Sequence, residues 1–134
     1  MDFGVVDEQT VEYFGGLITR DTTLASSTVN VTGIGFRPKA IQGWTADLSG
    51  VDNLCHTAFL PIVGGSNAQG FYNHRAGVPG DWFQSDQISI WTTSSGNSVN
   101  GIITSFDADG FTIDWTKVGS PTANTFAFRF ICYR

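Results

Sequence analysis

Few side chains in this sequence carry charge: Asp, Glu, Lys and Arg together make up 14% of its 134 residues, against about a quarter in ordinary soluble domains. A surface so poor in charge has to be finished with Ser, Thr, Asn and Gly. It can be laid against another protein with little desolvation. Basic runs are missing. The seven Lys and Arg are scattered from Arg20 to Arg134 and the net charge is −5. Nucleic-acid affinity depends on clustered cations at phosphates, so nucleic acid is not an expected partner. An anionic membrane surface is excluded on the same ground. No stretch approaches the ~20 apolar residues of a membrane-spanning helix, so membrane insertion is not expected. Residues 1–12 contain Asp2, Asp7, Glu8 and Glu12. Their charge is wrong for a secretory leader, and the chain is expected to be made in a cytoplasm.

Cysteine and histidine are nearly absent too, with two of each. Cys55 and Cys132 can pair in one way only. In a reducing compartment they are expected to stay free, Cys132 as a buried, inert thiol. His56 and His74, taken with Cys55, Asp52 or Asp81, could form a metal site or a nucleophile–base pair. No His-x-x-x-His or Cys-x-x-Cys spacing supports a metal, and adjacent strand residues such as Cys55 and His56 point to opposite faces. No metal and no cofactor are therefore expected. A nucleophile elbow, a phosphate-binding loop and a dinucleotide fingerprint are all missing. Gly33-Ile34-Gly35 follows a strand instead of opening a helix. Asp81 and Asp86 could be posed as a glycosidase carboxylate pair, but nothing near them would raise a carboxyl pKa, and they read as loop residues. No catalytic residue is identified, and the chain is expected not to be an enzyme.

What is abundant is Thr, Val, Ile, Phe and Trp, residues that suit a pleated, half-buried surface, with sixteen glycines between the apolar stretches. The clearest strand is the last. Phe126, Phe128, Phe130 and Cys132 alternate with Ala127, Arg129, Ile131 and Tyr133, so three rings and a thiol share one face. A strand this aromatic belongs in the centre of a sheet, since at an exposed edge it would invite aggregation. Phe111, Ile113 and Trp115 alternate with Thr112, Asp114 and Thr116 over residues 110–117. A hairpin at Asp107-Ala108-Asp109-Gly110 joins this strand to residues 102–106. Further strands are predicted over 13–19, 27–32, 39–46, 58–63, 70–74 and 87–93, about nine in all. Residues 94–98 and 63–69 read as loop tips, and 47–56 could hold a helical turn. The expected fold is all-β, an antiparallel two-sheet β-sandwich of jelly-roll type. A small closed barrel is the alternative. One domain is expected over 1–134, with 1–12 as an N-terminal arm.

Two patterns carry candidate sites. Asp107, Asp109 and Asp114 resemble part of a calcium loop, but no Glu follows at the distal ligand position. Turn carboxylates bonded to local backbone are the competing explanation. Trp44, Trp82, Phe83 and Trp91 lie among Asn, Gln and Asp. They are candidate ligand or interface aromatics, for a sugar platform or for subunit anchors; core positions are the plainer alternative. Four Trp and eleven Phe in so short a chain exceed what one small core readily hides, and this predicts a homo-oligomer.

The stretch Gly33-Ile34-Gly35-Phe36-Arg37-Pro38-Lys39-Ala40-Ile41, continued by Gln42-Gly43-Trp44, resembles a Gly-Phe-x-Pro-Lys-Ala-(Val/Ile)-x-x-Trp segment of small β-rich structural proteins of tailed bacteriophages. Residues 105–116 resemble a second segment of the same proteins, and the aromatic C-terminal strand fits them as well. The likeness covers about a third of the chain; residues 47–88 match nothing familiar. It implies a virion component made in the host cytoplasm: a capsid decoration protein, a head fibre or a tail-fibre module. The implied partners are capsid or tail proteins of the same particle and further copies of the chain, as a homotrimer. A receptor- or carbohydrate-binding role toward a cell-surface glycan is the alternative. Within these segments, Gly33 and Gly35 would let the chain bend, Pro38 would lead into a strand, and Phe36 would seal one end of the fold.

Overall fold

The computed structural model describes residues 12–47, 55–61, 69–75, 78–85, 89–94 and 96–134. Between 47 and 94 it describes the backbone alone. The described residues are all-β, with no helix and two antiparallel sheets. Their ten strands are β1 (Tyr13–Asp21), β2 (Ser27–Val31), β3 (Ala40–Asp47), β4 (Cys55–Pro61), β5 (Gln69–Arg75), β6 (Val78–Ser85), β7 (Ser89–Ser94), β8 (Asn97–Asp107), β9 (Gly110–Val118) and β10 (Thr125–Tyr133). One sheet runs β1-β10-β3-β4-β5-β6 and the other β2-β9-β8-β7.

The strand absent from the periodicity is β6. Its sequence, Val-Pro-Gly-Asp-Trp-Phe-Gln-Ser, holds a Pro, a Gly and an Asp, three residues depleted in strands, so no alternation shows. Asp81, expected in a loop, therefore lies inside a strand. The 94–98 loop tip contracts to a turn at Gly96, because β8 already starts at Asn97. Cys55 and His56 belong to β4 and not to a helical turn. Residues 48–54, Asp86 and most of the 63–69 loop lie outside the described residues, as do residues 1–11 of the expected 1–12 arm.

The sheets meet through the rings that the alternation picked out. Phe126, Phe128, Phe130 and Cys132 turn inward from β10, which lies between β1 and β3, and all are buried. Phe111, Ile113 and Trp115 face them from β9, joined by Ile41, Val99, Ile34 and Phe36. Phe111 stands edge-on to Phe130 at 5.1 Å, and Trp115 edge-on to Phe126 at 5.6 Å. Each such pair contributes about 0.5–1.5 kcal/mol beyond the area it buries. Glycines make room for the rings: a Cβ at Gly16 would overlap the Phe130 ring, and one at Gly43 the Phe128 ring.

Cys132 is a free thiol with no exposed surface, and burial pushes its pKa up to about 12. It is chemically quiet at neutral pH. The one cation turned into the core side of β1 is Arg20, 6% exposed. Its guanidinium donates to Ser27 Oγ at 2.9 Å and to the Ala25 carbonyl at 2.6 Å, and lies 5.6 Å from the centre of the Trp115 ring. Desolvation lowers its pKa, the nearby Asp21 carboxylate acting in the opposite direction.

Candidate functional site

The segments 33–44 and 105–116 are far apart in sequence and joined in space. Asp107 pairs with Gly110, so Ala108 and Asp109 form the loop of the β8–β9 hairpin. Neither has a positive φ, which rules out the primed turn usual for an Asp-Gly hairpin. Gly110 is needed for another reason: a Cβ there would overlap the Val31 carbonyl of β2. The Asp109 carboxylate reaches across to the loop before β3 and accepts the backbone N–H groups of Gly33 at 2.9 Å and Gly35 at 2.6 Å. Both glycines sit at φ +86°, a conformation other L residues rarely take. Ile34 N–H adds a bond to the Asp109 carbonyl, and Arg37 donates to the Phe106 carbonyl. Phe36 is thereby held in the core cluster with the Arg134 guanidinium over its ring, and Pro38 is buried just ahead of β3.

The aspartates at the hairpin are thus engaged by protein donors. Asp107 accepts from Ser105 Oγ and Thr112 Oγ1, and Asp114 accepts from Thr28 Oγ1. Among the described residues no group of three His, Cys, Asp or Glu side chains is placed to hold a metal. The Gly33 and Gly35 bonds stabilise the charged form of Asp109 and hold its pKa below the usual carboxylate range. Asp21 is lowered in the same direction, first by the Thr23 hydroxyl and then by the Thr23 N–H. A depressed folded-state pKa means that the unfolded chain takes up the proton first as pH falls. The stability these groups contribute is therefore complete above the unfolded value of about 4. It is lost as pH drops through the lower folded-state pKa. Denaturant midpoints measured from pH 7 to pH 2 should fall on the acid side, and Asp109→Asn should flatten that fall. An unchanged acid limb in the variant would contradict the assignment.

The outer face of the six-stranded sheet carries the candidate site. Antiparallel partners share a face, and one cross-strand row reads Leu17, Arg129, Trp44, Thr57, Tyr72, Trp82 from β1 to β6. In its described half, Leu17 and Arg129 are exposed and Trp44 is half-buried. These three, with Ile131 and the backbone of Gly15 and Gly16, line a shallow depression of about 490 Å³. Gly15, on the outer phase of β1, leaves that part of its floor without a side chain. Arg129 forms no hydrogen bond or ion pair with any described residue. On the neighbouring positions of the same face, Tyr133 donates its hydroxyl to Gln42 Oε1 at 3.2 Å. The arrangement offers a flat ring, an unengaged guanidinium, aliphatic walls and a carboxamide, which suits recognition and supplies no activated nucleophile.

The comparisons with known proteins find no match for this chain among protein families, curated proteins or solved structures.

Of the four aromatics singled out from the sequence, register unites two. Trp44 and Trp82 lie on the outer row, whereas Phe83 falls on the alternate row Gly16, Phe130, Gly43, Ala58, Phe71, Phe83, whose described members face the core. Trp91 in β7 is partnered with buried Val99. His56, Asn73 and Asp81 are consecutive partners in a further row, and Cys55 is opposite His74; the side chains of all five lie outside the described residues. Leu17, Arg129 and Ile131 escaped the sequence analysis as site residues. The phase of β10 opposite its Phe rings, with Arg129 in the middle of an apolar strand, pointed to Arg129 and Ile131; nothing in the sequence marked Leu17.

Proposed function

We propose that this protein is a non-enzymatic structural component of a tailed-phage virion, a capsid decoration or head-fibre protein that docks on the particle through the outer face of its six-stranded sheet. The observation that carries the docking face is the exposed Arg129, without a partner among the described residues, between Leu17 and Trp44. Trp, Tyr and Arg dominate the energetics of protein interfaces, and a half-buried ring beside a free guanidinium on a rigid sheet is pre-organised for that use. Support for the virion assignment comes from the sequence likeness, and from the fact that its two internal segments form one hydrogen-bonded unit around Asp109. A β-sandwich of jelly-roll type fits the outer strands: β1 and β2 lie in different sheets, beside β10 and β9 respectively. The run β3-β4-β5-β6 is a meander, so such a roll would be confined to the two ends of the chain.

The test is copurification. A tagged chain, supplied during growth of the phage that carries its gene, should sediment with purified particles. Trp44→Ala and Arg129→Ala should each weaken that binding by about 30-fold, the effect of losing ~2 kcal/mol. Particles free of the chain would refute the proposal. The second reading, a receptor- or glycan-binding module, is favoured by the Trp44 ring beside the Tyr133–Gln42 pair. Saturable binding to a glycan array, abolished by Trp44→Ala, would select it.

A further inference from the structure

Strand β1 is an edge strand, with β10 on one side and no strand among the described residues on the other. The bonds from Arg134 N–H to the Glu12 carbonyl and from Thr22 N–H to the Asn124 carbonyl continue the β1–β10 register at its two ends. In an antiparallel ladder, alternate residues exchange these bonds. The even-numbered residues of β1 are therefore bonded to β10. The N–H and C=O groups of Tyr13, Gly15, Leu17 and Thr19 point to the open edge.

Proteins normally blunt such an edge with Lys, Pro, a bulge or a short strand. β1 has none of these. It is nine residues long, its register with β10 is unbroken, and it carries no Pro. Its charges are buried Arg20 and terminal Asp21. Leu17 is 50% exposed and Tyr13 71% exposed on the outward face.

We infer that β1 joins two copies of this chain edge to edge, antiparallel about Leu17, merging their six-stranded sheets into one. The strand is complementary to itself in this register. Leu17 meets Leu17 of the second copy, Gly15 meets Thr19, and Tyr13 meets Asp21. All are odd-numbered, so each pair joins residues whose backbone groups face the edge, and no like charges are opposed. The interface is two-fold and closed, as an isologous contact must be. It gives a dimer in place of the trimer that the family likeness implies.

Light scattering on the full chain at micromolar concentrations and above should give twice 14.5 kDa. Leu17→Lys sets two ammonium groups against each other at the two-fold and should return the monomer with its near-ultraviolet circular dichroism retained. A second arm reads the register and does not depend on that variant folding. In a Cys55→Ser background, Leu17→Cys should form a covalent dimer on mild oxidation. Paired Cα atoms in a hydrogen-bonded antiparallel pair lie about 5.5 Å apart, within disulfide reach. Thr19→Cys should not, because Thr19 of one copy is about 14 Å from Thr19 of the other. A monomeric or trimeric parent, a dimer untouched by Leu17→Lys, or crosslinking at position 19 as readily as at 17 would each overturn the inference.

Discussion

Phe128→Ala is expected to lower the unfolding free energy by about 3–5 kcal/mol. The ring has no exposed surface, stacks on Phe130 at 6.0 Å and covers Gly43 across the β10–β3 pair. Its ring neighbour Phe130 is itself held edge-on by Phe111 of the other sheet and is not free to close over the vacated space. Total stability for a domain of this size is of order 5–15 kcal/mol, so one truncation removes a large part of it. The melting temperature should fall by about 10–20 °C. A loss under ~1 kcal/mol in denaturant titration would mean that the ring is not packed as described. Gly43 offers an internal check. Gly43→Val alone forces the Phe128 ring off its seat and should destabilise by about 1–3 kcal/mol. In the Phe128→Ala background the same valine occupies the vacated volume, so the double variant should be more stable than the sum of the two losses by ~1–3 kcal/mol.

Trp115→Ala should cost a similar ~3–5 kcal/mol, whereas Trp115→Phe should cost under about 2 kcal/mol. The indole lies over Gly101, edge-on to Phe126, with the Arg20 guanidinium above its ring. Its N–H finds no acceptor among the described residues. A buried, unbonded donor carries a desolvation penalty of ~1–3 kcal/mol. Phenylalanine removes that penalty while retaining most of the ring contact, and this separates the two substitutions. Truncation also leaves Arg20 without its aromatic partner, a cation–π contact of ~0.5–2 kcal/mol. Arg20→Met should then cost less in the Trp115→Ala background than in the parent. Equal losses for the Ala and Phe variants would show that the N–H is bonded after all.

The hydrophobic alternation of β9 and β10 was sufficient to place their inner faces. Period-two patterning needs only the local pleat and an apolar side to face. The all-β class and the Asp107–Gly110 hairpin followed from the same local chemistry. β6 was illegible because Pro79, Gly80 and Asp81 mask the period, and a strand that accepts such residues is specified by its partner across the ladder. The aspartates of the hairpin could be described from sequence only as turn or calcium residues. That Asp109 bonds Gly33 and Gly35, some 75 positions away, required the β8–β9 turn to be folded against the loop before β3.

The candidate groove shows the same division most sharply. Local sequence determined that Arg129 sits on the phase of β10 opposite Phe126, Phe128 and Phe130, since side chains alternate along every strand whatever its neighbours; no such pattern marked Leu17 or Trp44. Which strands lie side by side, and in what register, is a property of long-range pairing: a shift of one residue would exchange the two faces. Only the tertiary structure therefore set Leu17, Arg129 and Trp44 in one row, placed Trp82 on that row and Phe83 off it, and left the regular β1, without Lys or Pro, at the edge of the sheet among the described strands.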